Sequence, residues 1–376
     1  MTVESTRDNG HRALIAAGGT GGHVYPALAV AGALSEQGWI VEWIGTERGI
    51  EHRLVPASGI PLHCLGVSGL RGKSLFDRAR SLFRVIGGLW RSINIIKRVR
   101  PDIILGMGGY VAGPAGLAAW LTRYPLVIHE QNAVAGTTNR WLAPLAKRVL
   151  CGLPGEFARR RDVRVVGNPV RANLGEVDRS GLAELTSFSA RRPLNLLVLG
   201  GSLGAAPLNR LLPPTIDRLV MKGLGESIAV WQQCGERNRS AADQAWQGSQ
   251  FSQCQRNDFI DDMATAYAWA DVVIARAGAL TISELAATGT PSILIPLPHA
   301  IDDHQTRNAQ VLAETGGAVI VAQSEATPER VADRLEQWIQ SPASLLQMAR
   351  CSLGMITANA TDEVVAIIKE VAHANG

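Results

Sequence analysis

The chain has 376 residues and a mass of 40.1 kDa, which at roughly 150 residues per domain suggests two domains and suffices to bury a core without disulfides or structural metals. Hydrophobic residues make up 46% and charged residues 19%, which excludes a disordered chain. The net charge of +4 hides an asymmetry: residues 1–168 carry 21 Lys and Arg against 11 Asp and Glu, net +10, and the remainder 16 against 22, net −6. That bears on partners more than on fold.

Five cysteines, Cys64, Cys151, Cys234, Cys254 and Cys351, include no CxxC pair. The odd count and the spacing argue against a disulfide framework and a structural zinc site, and for a reducing compartment. The stretches Ala13–Ser35 and Ile103–Thr122 lack charged residues, but glycines and a proline interrupt both. They read as strand, loop and helix, where a spanning helix needs about 20 predominantly apolar residues. The run Ala13–Ala17 is too short for the apolar region of a leader, so neither a transmembrane span nor a cleaved signal is expected.

Residues 1–11 are polar and are expected to be disordered. Leu14–Ala17 predicts a first strand, Pro26–Gln37 a helix with proline in its first turn, and Trp39–Ile44 a second strand. Ile103–Leu105 and Leu126–His129 predict two more. The pattern then restarts with strands at Leu194–Leu199, Ile228–Gln232, Val272–Ala275 and Ser292–Pro296. Short apolar strands alternating with helices mean parallel α/β sheets. The first strand of each half ends in glycines, Gly18-Gly19-Thr20-Gly21-Gly22 and Gly200-Gly201-Ser202-Leu203-Gly204, about 180 residues apart. This predicts two Rossmann-like domains in tandem, with a junction near Gly167-Asn168-Pro169 and a ligand cleft outside the carboxyl ends of the strands. The last helix, Asp362–His373, could belong to either domain.

Residues 71–100 hold nine Lys and Arg and one Asp. Leu75, Ala79, Leu82, Phe83, Ile86, Trp90 and Ile93 form one helical stripe, with Arg80, Arg84, Arg91 and Arg98 opposite. Gly87-Gly88 is a possible break. The plain reading is a surface helix with its apolar face on the sheet. The functional reading is docking on an anionic membrane surface, at about 1 kcal/mol per basic residue. Nucleic acid is not expected as a partner, since no nucleic-acid motif accompanies the charge.

A glycine turn opening a helix brings free backbone N–H groups close to an anion. With Gly19 and Gly21 as its first two glycines, the dinucleotide fingerprint fails at Val24. His23 stands at the mouth of the expected cleft, where a proton acceptor is useful. The Gly200–Gly204 turn suits a diphosphate. Thr281 and Glu284 have capping-box spacing; the alternative is that Glu284 grips the vicinal diol of a ribose. No DxD, HExxH, GxSxG or GxxxxGK[ST] pattern occurs, so no metal and no cofactor is expected.

Eight segments match one known family in order: GGTGGHVYPALAVA (18–31), GMGGYVAGP (106–114), HEQNAVAG (129–136), GNPVR (167–171), GGSLGA (200–205), FIDDM (259–263), RAGALTISELAA (276–287) and DHQTRNA (303–309). The chain resembles the MurG family of peptidoglycan glycosyltransferases. The resemblance implies a GT-B fold, an α/β architecture of two Rossmann-like domains facing across a cleft. The expected domains are residues 12–168 plus a C-terminal helix from about 355 to 376, facing acceptor and membrane, and residues 169–354, binding UDP-N-acetylglucosamine. It implies donor contacts from Arg171, Ser202, Ile260, Ala279, Leu280, Thr281, Ile282, Ser283, Glu284 and Gln305. Thr20, Gly21, Gly22 and Asn132 would close over the donor, and Gly108, Gly109 and Tyr110 would meet the acceptor. Leu203 and His304 depart from the Gln found there in some members.

The same resemblance implies an inverting transfer of N-acetylglucosamine to the 4-hydroxyl of a lipid-linked muramoyl-pentapeptide. His23 is the expected base and Glu130 a weaker candidate. It also implies peripheral attachment to the cytoplasmic face of the cell membrane and cell-wall synthesis partners. The rival readings are a related transferase with another lipid acceptor, a UDP-N-acetylglucosamine epimerase, an inactive nucleotide-sugar sensor and, last, a nicotinamide oxidoreductase.

Overall fold

In a computed structural model, all residues are described except 1–9, 67–74, 156, 160–162, 172–173, 176, 202–203, 299–300, 356–358 and 375–376, with backbone alone for 75–85, 159 and 301. The expected disorder of the N-terminal segment thus falls almost wholly outside the described residues. The chain divides into two compact units. The first runs to Arg171, three residues past the expected boundary, and resumes at Asn359; the second spans Ala172–Ala358.

The first unit holds strands β1 (Arg12–Ala16), β2 (Ile40–Gly45), β3 (Leu62–Cys64), β4 (Ile103–Gly106), β5 (Leu126–Glu130), β6 (Arg148–Cys151) and β7 (Val163–Val165). They form one parallel sheet in the order β3-β2-β1-β4-β5-β6-β7. Successive side chains of a strand point to opposite faces, and β1 is buried on both. Ala13 and Ile15 join Val24, Ala27, Ala31 and Leu34 of helix Gly21–Glu36. Leu14 and Ala16 join Ile95, Ile96 and Val99 of helix Leu75–Val99 and Ala115, Ala118 and Ala119 of helix Ala112–Leu121. Double burial explains the near-continuous apolar runs. Helix Ala360–His373 packs its Val364, Val365, Ile367, Ile368 and Val371 into the first unit's core beside helix Gly21–Glu36.

The second unit holds β8 (Leu194–Leu199), β9 (Ile228–Gln233), β10 (Cys254–Asn257), β11 (Val272–Ala275), β12 (Ser292–Leu294) and β13 (Ala318–Ile320). Their order is β10-β9-β8-β11-β12-β13, again all parallel. Its core joins Leu194, Leu196 and Val198 to Leu208, Leu212, Ile216 and Leu219 of helix Ala206–Met221 and to Val331, Leu335 and Trp338 of helix Pro328–Gln340.

Three local expectations are corrected. The first helix starts at Gly21, not Pro26, because the Thr20 carbonyl accepts from the N–H groups of His23 and Val24. Pro26 then removes a single N–H inside the helix. Helix Leu75–Val99 runs through Gly87-Gly88 without a break. Ile86 and Trp90 do not face the sheet: they are 47% and 66% exposed. The buried side carries Gly88, Ser92, Ile95, Ile96 and Val99, with the Ser92 hydroxyl donating to the Gly88 carbonyl. Ile93 of the expected stripe does pack against that core, together with Leu89. Arg71 and Lys73, and the side chains of Arg78, Arg80 and Arg84, lie outside the described residues.

Candidate active site

The carboxyl ends of β1, β4 and β5 bring the first unit's expected site residues together. After β1 the chain turns through Gly18 and Gly19 and enters helix Gly21–Glu36, whose start has no side-chain cap. His23 lies in its first turn. Its backbone N–H donates to the Thr20 carbonyl at 3.1 Å, and its ring Nδ1 lies 3.3 Å from Thr20 Oγ1. If Nδ1 carries the proton and donates to Thr20, Nε2 is the proton-accepting nitrogen.

The turn after β4 lies against this ring. Gly108 has φ +95°, and a Cβ there would come within 2.7 Å of His23 Cδ2 and 3.0 Å of Nε2. Gly109, at φ +79°, would place a Cβ 2.1 Å from the Gly18 carbonyl oxygen. Only glycine fits either place. Tyr110 is 57% exposed beside them.

Two buried carboxylates organise the surrounding loops. Glu130, at the end of β5, accepts from the Asn132 N–H at 3.0 Å, Asn132 Nδ2 at 3.1 Å, the Gly136 N–H at 2.9 Å and Asn139 Nδ2 at 2.9 Å. Glu51, which the sequence reading passed over, accepts from the Gly19 N–H at 3.0 Å, the Thr46 N–H at 2.9 Å and the Thr46 hydroxyl at 2.6 Å. Its sequence signal is the glycine-flanked run Gly45-Thr46-Glu47-Arg48-Gly49-Ile50-Glu51 after β2. Arg171 stacks its guanidinium 4.7 Å above the Tyr25 ring, within the first unit.

In the second unit the turn after β8 needs glycine for close approach. At Gly204, φ +72°, a Cβ would sit 2.2 Å from the Cys234 carbonyl oxygen. Ser202 and Leu203 lie outside the described residues. Gln233, at the end of β9 and also missed, ties two loops together. Its Nε2 donates to the Gly201 carbonyl at 3.1 Å and its Oε1 accepts from the Ile260 N–H at 3.0 Å. Ile260 itself is buried.

Helix Ala279–Ala287 follows β11 with Gly278 at its cap. The capping box does not form: Thr281 is already inside the helix, and Glu284 accepts from the Tyr267 hydroxyl at 3.0 Å. Ala279, Ile282, Ser283 and Glu284 are buried, whereas Leu280 and Thr281 are partly exposed. Arg276 donates to the carbonyls of Ile295 and Pro296 and to Gln323 Oε1, which fixes the chain leaving β12. Burial lowers its pKa. Gln305 lies in helix His304–Glu314 and accepts from the Leu297 N–H at 2.9 Å. Among the described residues no group of three or more His, Cys, Asp and Glu could hold a metal ion.

The model of the Glycosyltransferase family 28 N-terminal domain matches residues 13–151, and that of the family's C-terminal domain matches residues 195–369. A UDP-N-acetylglucosamine--N-acetylmuramyl-(pentapeptide) pyrophosphoryl-undecaprenol N-acetylglucosamine transferase of Stutzerimonas stutzeri is 49% identical, over 96% of this chain and 98% of its own. The transferase of that name from Colwellia psychrerythraea is 40% identical, over 99% and 96%. The crystal structure of Acinetobacter baumannii MurG aligns with TM-score 0.77 at 36% identity, over 96% of this chain and 99% of its own. A protein from Listeria monocytogenes described as a putative UDP-N-acetylglucosamine 2-epimerase, at 13% identity, TM-score 0.66 and 96% coverage of both chains, shares the fold alone.

His129 on β5 is fully buried, with Nε2 2.9 Å from the Gly167 carbonyl oxygen. Burial dominates and lowers its pKa. The unfolded chain takes up a proton here below about pH 6.5 while the folded chain resists. Stability should therefore fall as pH drops through that range, by at most about 1.4 kcal/mol per pH unit from this group. Denaturant unfolding at pH 7.5 and 5.5 should show a smaller acid loss for His129→Gln than for the parent; equal losses would refute this.

Proposed function

Because this chain belongs to glycosyltransferase family 28 and, within it, to the MurG transferases, we propose that it moves N-acetylglucosamine from UDP-N-acetylglucosamine to the 4-hydroxyl of a lipid-linked muramoyl-pentapeptide. The observation that carries this reading is near-full-length similarity, at 49% identity, to a transferase named for that donor and acceptor. The site geometry is consistent with it. The His23 imidazole is held from one side by Thr20 and from the other by the Gly108 turn, at the carboxyl end of a parallel sheet.

In the proposed mechanism the acceptor hydroxyl approaches His23 Nε2, which takes its proton as oxygen attacks the anomeric carbon. A single displacement inverts that centre and releases UDP. Glu130 already receives four N–H donors, so its part is to hold Asn132 and the loop to Gly136. In the second unit, Glu284 would take the ribose and Ile260 the uracil side. The Gly200–Gly204 turn would meet the diphosphate at the start of helix Ala206–Met221, where the cap residue is Ala205, whose side chain offers no acceptor. Arg171, Ser202, Ala279 to Ser283 and Gln305 are further proposed donor contacts, as are Thr20, Gly21, Gly22 and Asn132.

A second observation supports membrane attachment. Trp90, Trp120 and Trp141 are 66%, 52% and 78% exposed. They stand on the neighbouring helices Leu75–Val99, Ala112–Leu121 and Thr137–Leu142, with Arg91 and Arg140 next to Trp90 and Trp141 in sequence and Arg123 three residues after Trp120. Aromatic side chains favour the membrane–water interface, and basic ones favour anionic lipid. Among the described residues no helix is long and apolar enough to cross a membrane. We therefore propose peripheral attachment at the cytoplasmic face, as a docking site for the lipid-linked acceptor.

Purified protein given labelled UDP-N-acetylglucosamine and a lipid-linked muramoyl-pentapeptide analogue should form a new β linkage at the same rate with and without EDTA. Absence of transfer despite UDP binding would overturn the acceptor assignment. General-base catalysis is worth roughly 10²–10⁴-fold, so His23→Ala should lower kcat by about that factor and leave donor binding nearly intact. A loss below about threefold would sink the base assignment. Glu284→Ala should weaken UDP binding by about 10- to 150-fold, the worth of a hydrogen bond to a charged group; unchanged affinity in calorimetry would remove it from the donor site. Sedimentation with anionic vesicles should fall as salt rises, and salt-insensitive pelleting, or none at low salt, would count against electrostatic docking.

A further inference from the structure

The glycine turn that carries His23 is held by a group outside every segment that carries the family resemblance. Glu51 opens helix Glu51–Ala57, where an acid would ordinarily serve the helix start. Its carboxylate reaches elsewhere. Oε2 accepts from the Gly19 N–H, and Oε1 accepts from both the N–H and the hydroxyl of Thr46. Thr46 Oγ1 in turn accepts from the Gly49 N–H at 3.0 Å. One carboxylate thus links the turn after β1 to the turn after β2.

The surroundings are built around this group. Glu51 is 0% exposed and, among the described residues, forms no ion pair with a Lys, Arg or His. A buried carboxylate without a cation survives on hydrogen bonds alone. Three glycines leave the space it occupies. A Cβ would lie 2.6 Å from Oε1 at Gly18, 2.8 Å from Cγ at Gly45 and 2.0 Å from Oε2 at Gly49. From Gly19 the path to His23 is short: Thr20 is the next residue, and it holds both the backbone N–H and the ring Nδ1 of His23.

We propose that Glu51 is a positioning residue, which fixes the Gly18–Thr20 turn and through it the orientation of the His23 imidazole. The proposal rests on the reading of His23 as the base. Misplacing a reacting group by about 1 Å can cost about 100-fold in rate. Glu51→Gln keeps the shape but offers one acceptor oxygen where three donors converge. Its amide must then face an N–H at Gly19 or Thr46, donor against donor.

The test is a double-mutant cycle in the transfer assay, with the His23 ring resonances followed by NMR. E51Q should lower kcat by about 10- to 100-fold and leave the UDP affinity, which rests on the second unit's contacts, within about twofold. In the H23A background it should cost less than about twofold more, because two residues that act through one another are non-additive. E51Q should also shift or broaden the His23 ring signals. An undiminished kcat, a loss equally large without His23, or unaltered ring signals would each overturn the proposal. Should E51Q fail to fold, Thr46→Val removes only the hydroxyl from the cluster, and it should produce the same pattern at a smaller size. A small effect of H23A alone would sink the base assignment instead, and the ring signals would then decide the positioning role independently of catalysis.

Discussion

A carboxylate taken out of water without a cation has to be met by N–H and O–H donors, and the first unit depends on two such carboxylates. Glu51 gathers the turns after β1 and β2; Glu130 gathers the loop from Asn132 to Gly136 and the helix behind it. Parallel strands all end on the same side, so each turn there leaves backbone N–H groups without a ladder partner. A buried acid satisfies several of them at once and defines the spacing between turns that are distant in sequence. The imidazole of His23 and the Gly108 turn then inherit their places from that frame.

The second unit ties its loops mainly through neutral and positive groups, with the buried Glu284 accepting from Tyr267 beside them. Gln233 uses one amide to join the Gly201 carbonyl to the Ile260 N–H, and Arg276 collects three oxygens beyond β12. Deeper in, Arg179 donates to the carbonyls of Gly289, Ala270 and Tyr267 and to Thr290 Oγ1. Burial brings its pKa down to about 10, far above neutrality. The difference suits the proposed roles. A unit that takes a nucleoside diphosphate gains nothing from carboxylates near the phosphate turn, whereas a unit that holds a base can use them.

The central strands were legible because they are buried on both faces: LNLLVL of β8 and VVIA of β11 were read with the bounds observed. The edge strands β3, β7, β10 and β13, with LHC, VRV, CQRN and AVI, were not read, nor was the short interior strand β6. An edge strand is half solvated and three or four residues long, too short for periodicity to rise above noise. The glycine turns were readable, since close backbone approach leaves no substitute. Their supports were not: Gly19 meets a carboxylate 32 residues away and Ile260 an amide 27 residues away, and neither pairing follows a period. In the stripe of helix Leu75–Val99 the period fails at Ile86 and Trp90, which are exposed, and holds at Ile93, which packs against the core. The buried side there runs through Gly88, Ser92, Ile95, Ile96 and Val99, a face rotated from the one that Ile86 and Trp90 suggested.

Helix Ala360–His373 supplies Val364, Val365, Ile367, Ile368 and Val371 to the core of the first unit, although the entire second unit precedes it in the chain. During synthesis the first sheet therefore emerges with one face incomplete and waits through nearly two hundred residues for its cover. The second unit can close on its own schedule; the first cannot. A ribosome stalled before residue 360, or a nonsense codon there, leaves the earlier-made unit with an open apolar face and the later-made one whole. Quality control would meet such a product at its oldest part.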